Sequence, residues 1–234
     1  MLLKILNSNS DGNCMILKSA EEQLMLDCGV DYKSTMIGLD FNIRNLSGIL
    51  ATHHHIDHIR SIDKFANKGI PTIMPFADDC KHYSLKKGSK FKAKTFALKT
   101  VDGNWAHSNG DGSPCEVYGY CITHPELGVL VYATDCSVIK YKFPGVNHLL
   151  IEANYDLDKL EDDGDIKKNH VFSGHQSIQA ACKFIEANNS DRLKNVILCH
   201  LSQENGDPLE FTEKVANVFK KNIYVAQKGM IIDL

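Results

Sequence analysis

A layered α/β fold is predicted by two observations on this chain of 234 residues. Short apolar runs of strand length alternate with segments whose apolar residues recur at helical spacing, and no internal repeat or low-complexity linker interrupts them. Four of the strand-like runs, QLMLD, GILATH, GVLVYATD and NVILCH, also end in a side chain that can bind a metal or support one that does: Asp27, His53, Asp135 and His200. Strands that share a direction bring such ends to one edge of a layered structure, where a rigid scaffold unites distant residues.

The runs at 2–6, 14–18 and 23–26 have strand length and are separated by the turn-rich NSNSDGN and by Glu21-Glu22, which predicts an opening antiparallel meander. Then comes Thr52-His53-His54-His55-Ile56-Asp57-His58, which places His53, His55, Asp57 and His58 inside six positions. Imidazole nitrogen and carboxylate oxygen are the donors that zinc and similar divalent ions take. Ile56, Ile59, Ile62 and Phe65 follow at helical spacing and Gly69 stands where a helix would end, so the motif falls at a strand-to-helix junction. The stretch LKKGSKFKAK, with Lys86, Lys87, Lys90, Lys92 and Lys94, reads either as a phosphate-attracting patch or as a solvated hairpin. The acidic run at 156–165 reads as an exposed loop or helix start. Residues 175–187 predict an amphipathic helix through Ile178, Ala181, Cys182 and Ile185. Another begins at Asp207-Pro208, with Glu210 placed for a capping box and Phe211, Val215, Val218 and Phe219 facing inward.

An apolar content of 43% supports a substantial core, and the length fits one domain over 1–234. The first apolar stretch is too short for a signal peptide, and no run reaches the roughly 18 apolar residues of a membrane span; the expectation is a soluble cytoplasmic protein with no membrane contact. The eight cysteines form no CxxC, and Cys14, Cys121, Cys182 and Cys199 sit in apolar runs, so reduced buried thiols are expected. A net charge of −3 is no electrostatic footprint for gripping long nucleic acid, which makes a small substrate the expected partner.

The ordered set of Asp27, His53-x-His55-x-Asp57-His58, a later His, Asp135 and His200, set in LDCG, YATDC and ILCHLS, resembles the metallo-β-lactamase fold superfamily over almost the whole chain. SDGNC at 10–14, IEANYD at 151–156, SGHQS at 173–177 and CHLSQEN at 199–205 are similar to the small phosphodiesterases that include YycJ-type exonucleases and phage anti-Pycsar proteins. The resemblance implies a four-layer αββα sandwich, a homodimer, and a dinuclear hydrolase of phosphodiesters using two divalent ions, Zn2+ with Mn2+ as the alternative. Carried across residue by residue, it implies that His53, His55 and His107 hold the first ion and that Asp57, His58 and His200 hold the second. Asp135 would bridge them, and Asp27 would orient a ligand without binding metal. His124 is the rival to His107, which lacks the Asp that commonly follows this ligand.

Paired ions lower the pKa of bound water from about 15.7 towards about 7, so the implied nucleophile is metal-activated hydroxide, with no protein nucleophile needed. Asp57, through the metal, and His175 are the catalytic candidates. His175 is read as opening a helix, where anions are favoured, and so as general acid or phosphate contact. Ser173 and Ser177 read as caps. His54 is expected to point away from its neighbours, His82, His124, His148 and His170 to be surface or packed residues, and Tyr155 to be packing. Glu152 and Asn154 are read as stabilising the loop that enters the site.

The leading functional expectation is hydrolysis of a small cyclic nucleotide to nucleoside monophosphates, with signalling cyclic mononucleotides such as cCMP or cUMP as the example that the resemblance to anti-Pycsar proteins, which degrade such signals in phage counter-defence, implies. The alternatives are a DNA exonuclease or RNA-processing nuclease of the same fold, and a non-catalytic module that sequesters a nucleotide.

Overall fold

A computed structural model describes residues 1–77, 84–159 and 174–234. His82, His170, Ser173 and the acidic run beyond 159 lie outside the described residues.

The opening runs form β1 (Leu2–Asn9), β2 (Gly12–Lys18) and β3 (Gln23–Leu26), paired antiparallel in sequence order as the meander required. A crossover through α1 (Tyr32–Gly38), capped by Asp31, leads to β4 (Leu46–Leu50), which lies parallel to β3. With β5 (Thr72–Ile73) and β14 (Ile231–Asp233), these give a six-stranded sheet in the order β14-β1-β2-β3-β4-β5.

The second sheet is built from β6 (Lys92–Ala97), β9 (Tyr118–His124), β10 (Gly128–Ala133), β11 (His148–Glu152), β12 (Asn195–Cys199) and β13 (Asn222–Val225). Its order is β13-β12-β11-β10-β9-β6, with β10 to β13 mutually parallel. A short ribbon pairs β7 (His107–Ser108) with β8 (Pro114–Cys115).

Three apolar clusters define the layers. One lies between the sheets, where Leu3, Met15, Leu24 and Leu50 meet Tyr120, Leu130, Leu150 and Ile197. Another joins the outer face of the first sheet to Leu39, which follows α1, and to Ile62 and Phe65. The last joins the second sheet to α4 (Ile178–Asn188) and α5 (Pro208–Ala216) through Ile178, Ala181, Phe211 and Val215. The architecture is the αββα sandwich, each side chain face following the period of its own element.

Several local expectations need correction. The helix after the histidine cluster is two short pieces, α2 (Ile56–Ile59) and α3 (Ile62–Ala66), and Ile56 is 64% exposed. Ser61 breaks it, because its N–H donates to Cys28 O at 3.0 Å and its hydroxyl to Val30 O at 2.6 Å, tying the turn to the loop after β3. The lysine-rich stretch is no local hairpin: β6 pairs with β9, and Lys90 pairs with Glu21. In α5, Asp207 caps Leu209 N and Glu210 N, but the Glu210 carboxylate reaches Lys159 and Lys214 and does not close a capping box. Cys121 and Cys182 are half-buried; all seven described cysteines are free thiols.

Candidate metal centre

The four strand ends do converge. β3, β4, β10 and β12 release Asp27, Thr52-His53, Asp135 and His200 on one side of the sandwich. Asp27, Asp135 and His200 each leave their strand at φ 53°, a left-handed conformation uncommon outside glycine. Three non-glycine residues in that region at one site mark backbone held by its surroundings and tied to function. The histidine loop reaches the same point because Gly29 lets it: a Cβ there would stand 1.5 Å from Asp57 O. Cys28 N donates to His58 O at 2.7 Å, which fixes that close approach.

Five overlapping groups of potential ligands, each with donor atoms within 4.8 Å of one another, lie here among the described residues, and two of them are the expected sets His53, His55 and His107, and Asp57, His58 and His200. Asp135 lies between them. Its Oδ2 is 3.2 Å from His58 Nε2, while its Oδ1 is 3.6 Å from His200 Nε2 and 4.0 Å from His107 Nε2. In the first group His53 Nε2 is 3.0 Å and His107 Nε2 3.2 Å from His55 Nδ1.

The outer hydrogen bonds fix which imidazole nitrogen faces inward. His107 Nδ1 donates to Gly174 O at 2.9 Å, His58 Nδ1 to Asp27 Oδ2 at 2.9 Å, and His200 Nδ1 to Glu152 Oε1 at 3.1 Å. Each of these rings therefore turns its Nε2 to the centre, the nitrogen left to bind a metal when Nδ1 is engaged. Burial, with His58 next, pushes His53 well below the ordinary imidazole range, and burial takes His107 to about 4. Burial resists charge on His58 as well, yet the Asp27 and Asp135 carboxylates hold its pKa well above the usual value. Asp135 stays well below the carboxylate range: burial is outweighed by His200 and His58. His200 Nε2 is buried with no hydrogen-bond partner among the described residues. A buried, unpartnered imidazole nitrogen beside other imidazoles and the Asp135 carboxylate is the environment a divalent cation satisfies.

Asp27 is fully buried and acts from behind the ligand groups. It accepts from Thr52 N at 2.8 Å and from the Tyr132 hydroxyl at 2.5 Å, as well as from His58. His175 does line the pocket, but it does not open a helix: Ser177 is the N-cap of α4, and its hydroxyl accepts from Ala180 N. His175 is held instead by Glu152, whose Oε1 lies 2.7 Å from its Nδ1. Burial opposes its charge, but Glu152 lifts its pKa to about 9.

Glu152 is the site residue that sequence reasoning missed in this role. Fully buried at the end of β11, it accepts from His175, His200 and Cys136 N. Its signal was present, since HLLIE closes an apolar strand with a carboxylate just as GVLVYATD does. Asn13 was missed too; its Nδ2 is 3.0 Å from His58 Nε2. Asn154 donates to His200 O at 2.8 Å, in keeping with its expected loop-stabilising role. Of the histidines set aside, His54 is exposed but stands beside the site, its ring 5.0 Å from that of His55 and its Nδ1 3.7 Å from Cys115 Sγ, and these three form a further group able to hold a metal; His148 donates to Leu127 O, and His124 lies 3.4 Å from Glu22. Tyr155 is 4% exposed.

This fold and this site define a metallo-hydrolase. The chain belongs to the metallo-beta-lactamase superfamily, whose family model matches residues 9–138. It is 26% identical over 226 residues to the exodeoxyribonuclease YycJ of Bacillus anthracis, covering 86% of this chain and 82% of that protein. It is 36% identical over 184 residues to the anti-Pycsar protein Apyc1 of Paenibacillus xerothermodurans, covering 74% and 66%. Among solved structures, the metallo-beta-lactamase fold protein YhfI from Bacillus subtilis superposes with a TM-score of 0.67 at 15% identity, over 99% of this chain and 98% of that one. No helix among the described residues is long and apolar enough to cross a membrane.

Proposed function

We propose that this hydrolase cleaves the phosphodiester of a cyclic mononucleotide to a nucleoside monophosphate. The observation that carries the reading is the pocket over the metal centre. It has a volume of about 460 Å3, and its described lining contains His55, Asp57, His107, Asp135, His175 and His200 but no lysine or arginine. A polymer is gripped through many phosphates by many cations. A compact phosphodiester needs only its own charge met, and two divalent cations, zinc or manganese, would supply that neutralisation and activate water. The 36% identity to an anti-Pycsar protein supports the same substrate class.

His53, His55 and His107 would hold one cation and Asp57, His58 and His200 the other, with Asp135 shared. Asp27 and Glu152 fix the His58 and His200 rings, so little reorganisation accompanies reaction. His175, kept protonated by Glu152 and facing the pocket, is placed to give a proton to the leaving ribose oxygen or to contact the phosphate. Gln203 and Glu204 also line the pocket and are exposed, and they are proposed to face the base. The functional unit is proposed to be a homodimer.

Chromatography of products from metal-loaded protein tests this over cyclic CMP, UMP, AMP and GMP, with duplex DNA and bis-p-nitrophenyl phosphate as comparators. Conversion of at least one cyclic mononucleotide to its monophosphate is expected; all four left intact would end the proposal. The similarity to an exodeoxyribonuclease over most of the chain favours DNA hydrolysis as the second reading, and release of deoxynucleotides from duplex would support it. Binding of a cyclic nucleotide without turnover would identify a sequestering module.

A further inference from the structure

A second cavity, of about 290 Å3, is lined by Gln176, the residue that follows His175. His175 lines the metal pocket and Gln176 lines this one, so consecutive residues, with Cα atoms about 3.8 Å apart, face the two cavities. Lys140, Lys142 and Lys183 stand around it, and no aspartate or glutamate is among its described lining residues. The lysines are exposed, and none forms an ion pair with a described residue; Lys140 donates only to the carbonyl of Thr100, at 3.3 Å.

Three uncompensated ammonium groups on a surface are an ordinary solvated face. Gln176 makes this one different. Its side chain is 1% exposed, yet its Oε1 has no hydrogen-bond partner among the described residues. A buried carboxamide left unpaired costs about 1 to 3 kcal/mol unless something outside the chain completes it. Gln176 lines the cavity, and a half-turn about its last bond exchanges the positions of its carbonyl and NH2.

The walls are held in place. The Tyr141 hydroxyl donates to Ala97 O at 2.9 Å and Phe143 N to Asn188 Oδ1 at 2.7 Å, so the loop carrying Lys140 and Lys142 is pinned on both sides. Gln176 O accepts from Asn154 N at 2.8 Å, which ties this wall to the residue supporting His200. We infer that Lys140, Lys142 and Lys183, with the Gln176 carboxamide, form a phosphate-binding subsite beside the metal centre. Lysines supply the charge, the amide supplies a directed hydrogen bond, and a phosphate oxygen or hydroxyl suits either end of it. The inference stands whichever phosphodiester is cleaved, because it concerns a second phosphate and not the scissile one.

The same chemistry reaches the cavity from two sources, a free phosphate or monoester product, or the next phosphate of a strand. Titration of metal-loaded, 15N-labelled protein with inorganic phosphate, and separately with a phosphorothioate DNA tetramer, distinguishes them through the NMR signal of the Gln176 side-chain amide. The signal is expected to shift to saturation with at least one probe, and the double variant Lys142→Glu/Lys183→Glu is expected to weaken that midpoint by roughly tenfold. Hydrolysis of bis-p-nitrophenyl phosphate by the double variant should stay within about twofold of wild type, since its single phosphate lies at the metal centre. A shift with inorganic phosphate identifies a monoester site, and a shift with the tetramer alone identifies a strand contact. For the strand, the salt slope of binding should also fall by about 1.4 when two contacts are lost. An unmoved signal with both probes, or equal midpoints in wild type and the double variant, overturns the subsite.

Discussion

Glu152 Oε1 lies 3.1 Å from His200 Nδ1 and 2.7 Å from His175 Nδ1, so one buried carboxylate orients both the last proposed ligand and the proposed proton donor. Glu152→Gln keeps the shape but removes the charge that fixes both rings. Metal affinity at the second position is expected to fall about 10- to 100-fold, measured by competition with a chromophoric chelator. Affinity at the His53, His55, His107 position should change far less, which separates this outcome from general unfolding.

The Asp27 carboxylate is buried with four donors around it: Thr52 N, the Thr52 hydroxyl, the Tyr132 hydroxyl and His58 Nδ1. Asp27→Ala strands His58 and Tyr132 together and should cost about 3 to 5 kcal/mol in urea unfolding. Tyr132→Phe loses one hydrogen bond to a charged group and should cost about 1.5 to 3 kcal/mol.

Removal of metal provides the simplest global test. Prolonged chelation should abolish phosphodiester hydrolysis and lower Tm, and readdition of zinc or manganese should restore both. Elemental analysis is expected to find two ions per chain in wild type and one in His58→Ala.

Asp156 offers a pH test away from the metal centre. Burial raises its pKa, but Lys214 at 2.6 Å and Gln179 at 2.5 Å donate to it and bring the value down to about 2. A depressed folded-state pKa gives stability that is complete above the unfolded value of about 3.9 and disappears as pH falls through about 2. The urea stability difference between wild type and Asp156→Asn should be on the order of 2 kcal/mol at pH 6 and shrink steadily below pH about 4. A difference that stays constant down to pH about 2 would show that the pair contributes no pH-dependent stability.

Glu204 lines the metal pocket and is exposed. The turn beneath it is fixed, because the Ser202 hydroxyl accepts from Glu204 N and Asn205 N. Glu204→Gln should change the ranking of cytosine, adenine and guanine substrates, which carry amino donors, against uracil by about 10-fold. Turnover of bis-p-nitrophenyl phosphate should not follow that change.

The layers were legible because period and burial coincide: QLML, GIL and NVILC are continuous apolar runs, and their parallel strands are covered on both faces. The metal groups were legible for a related reason, since a charged or imidazole residue closing such a run has no other place to go than the sheet edge. His107 was harder, as β7 spans only His107–Ser108 and leaves no periodic signal around it. Glu152, Asn13 and Tyr132 act through contacts 48, 45 and 105 residues distant in sequence, to His200, His58 and Asp27, and no spacing rule reaches that far. The break at Ser61 escaped because it is imposed by carbonyls of the loop after β3, a tertiary override of an unbroken helical period.

His200 N donates to the Ser8 hydroxyl at 2.9 Å across a separation of 192 residues. The strand that bears the last ligand is thus fastened to the first strand of the opposite sheet. During synthesis, the group formed by Asp57, His58 and His200 cannot be complete until residue 200 has emerged and found a partner made at the very beginning, so any ion that this group holds would arrive after assembly. Such a contact also makes the late stage of folding slow relative to the opening meander, because a loop of that length must close first.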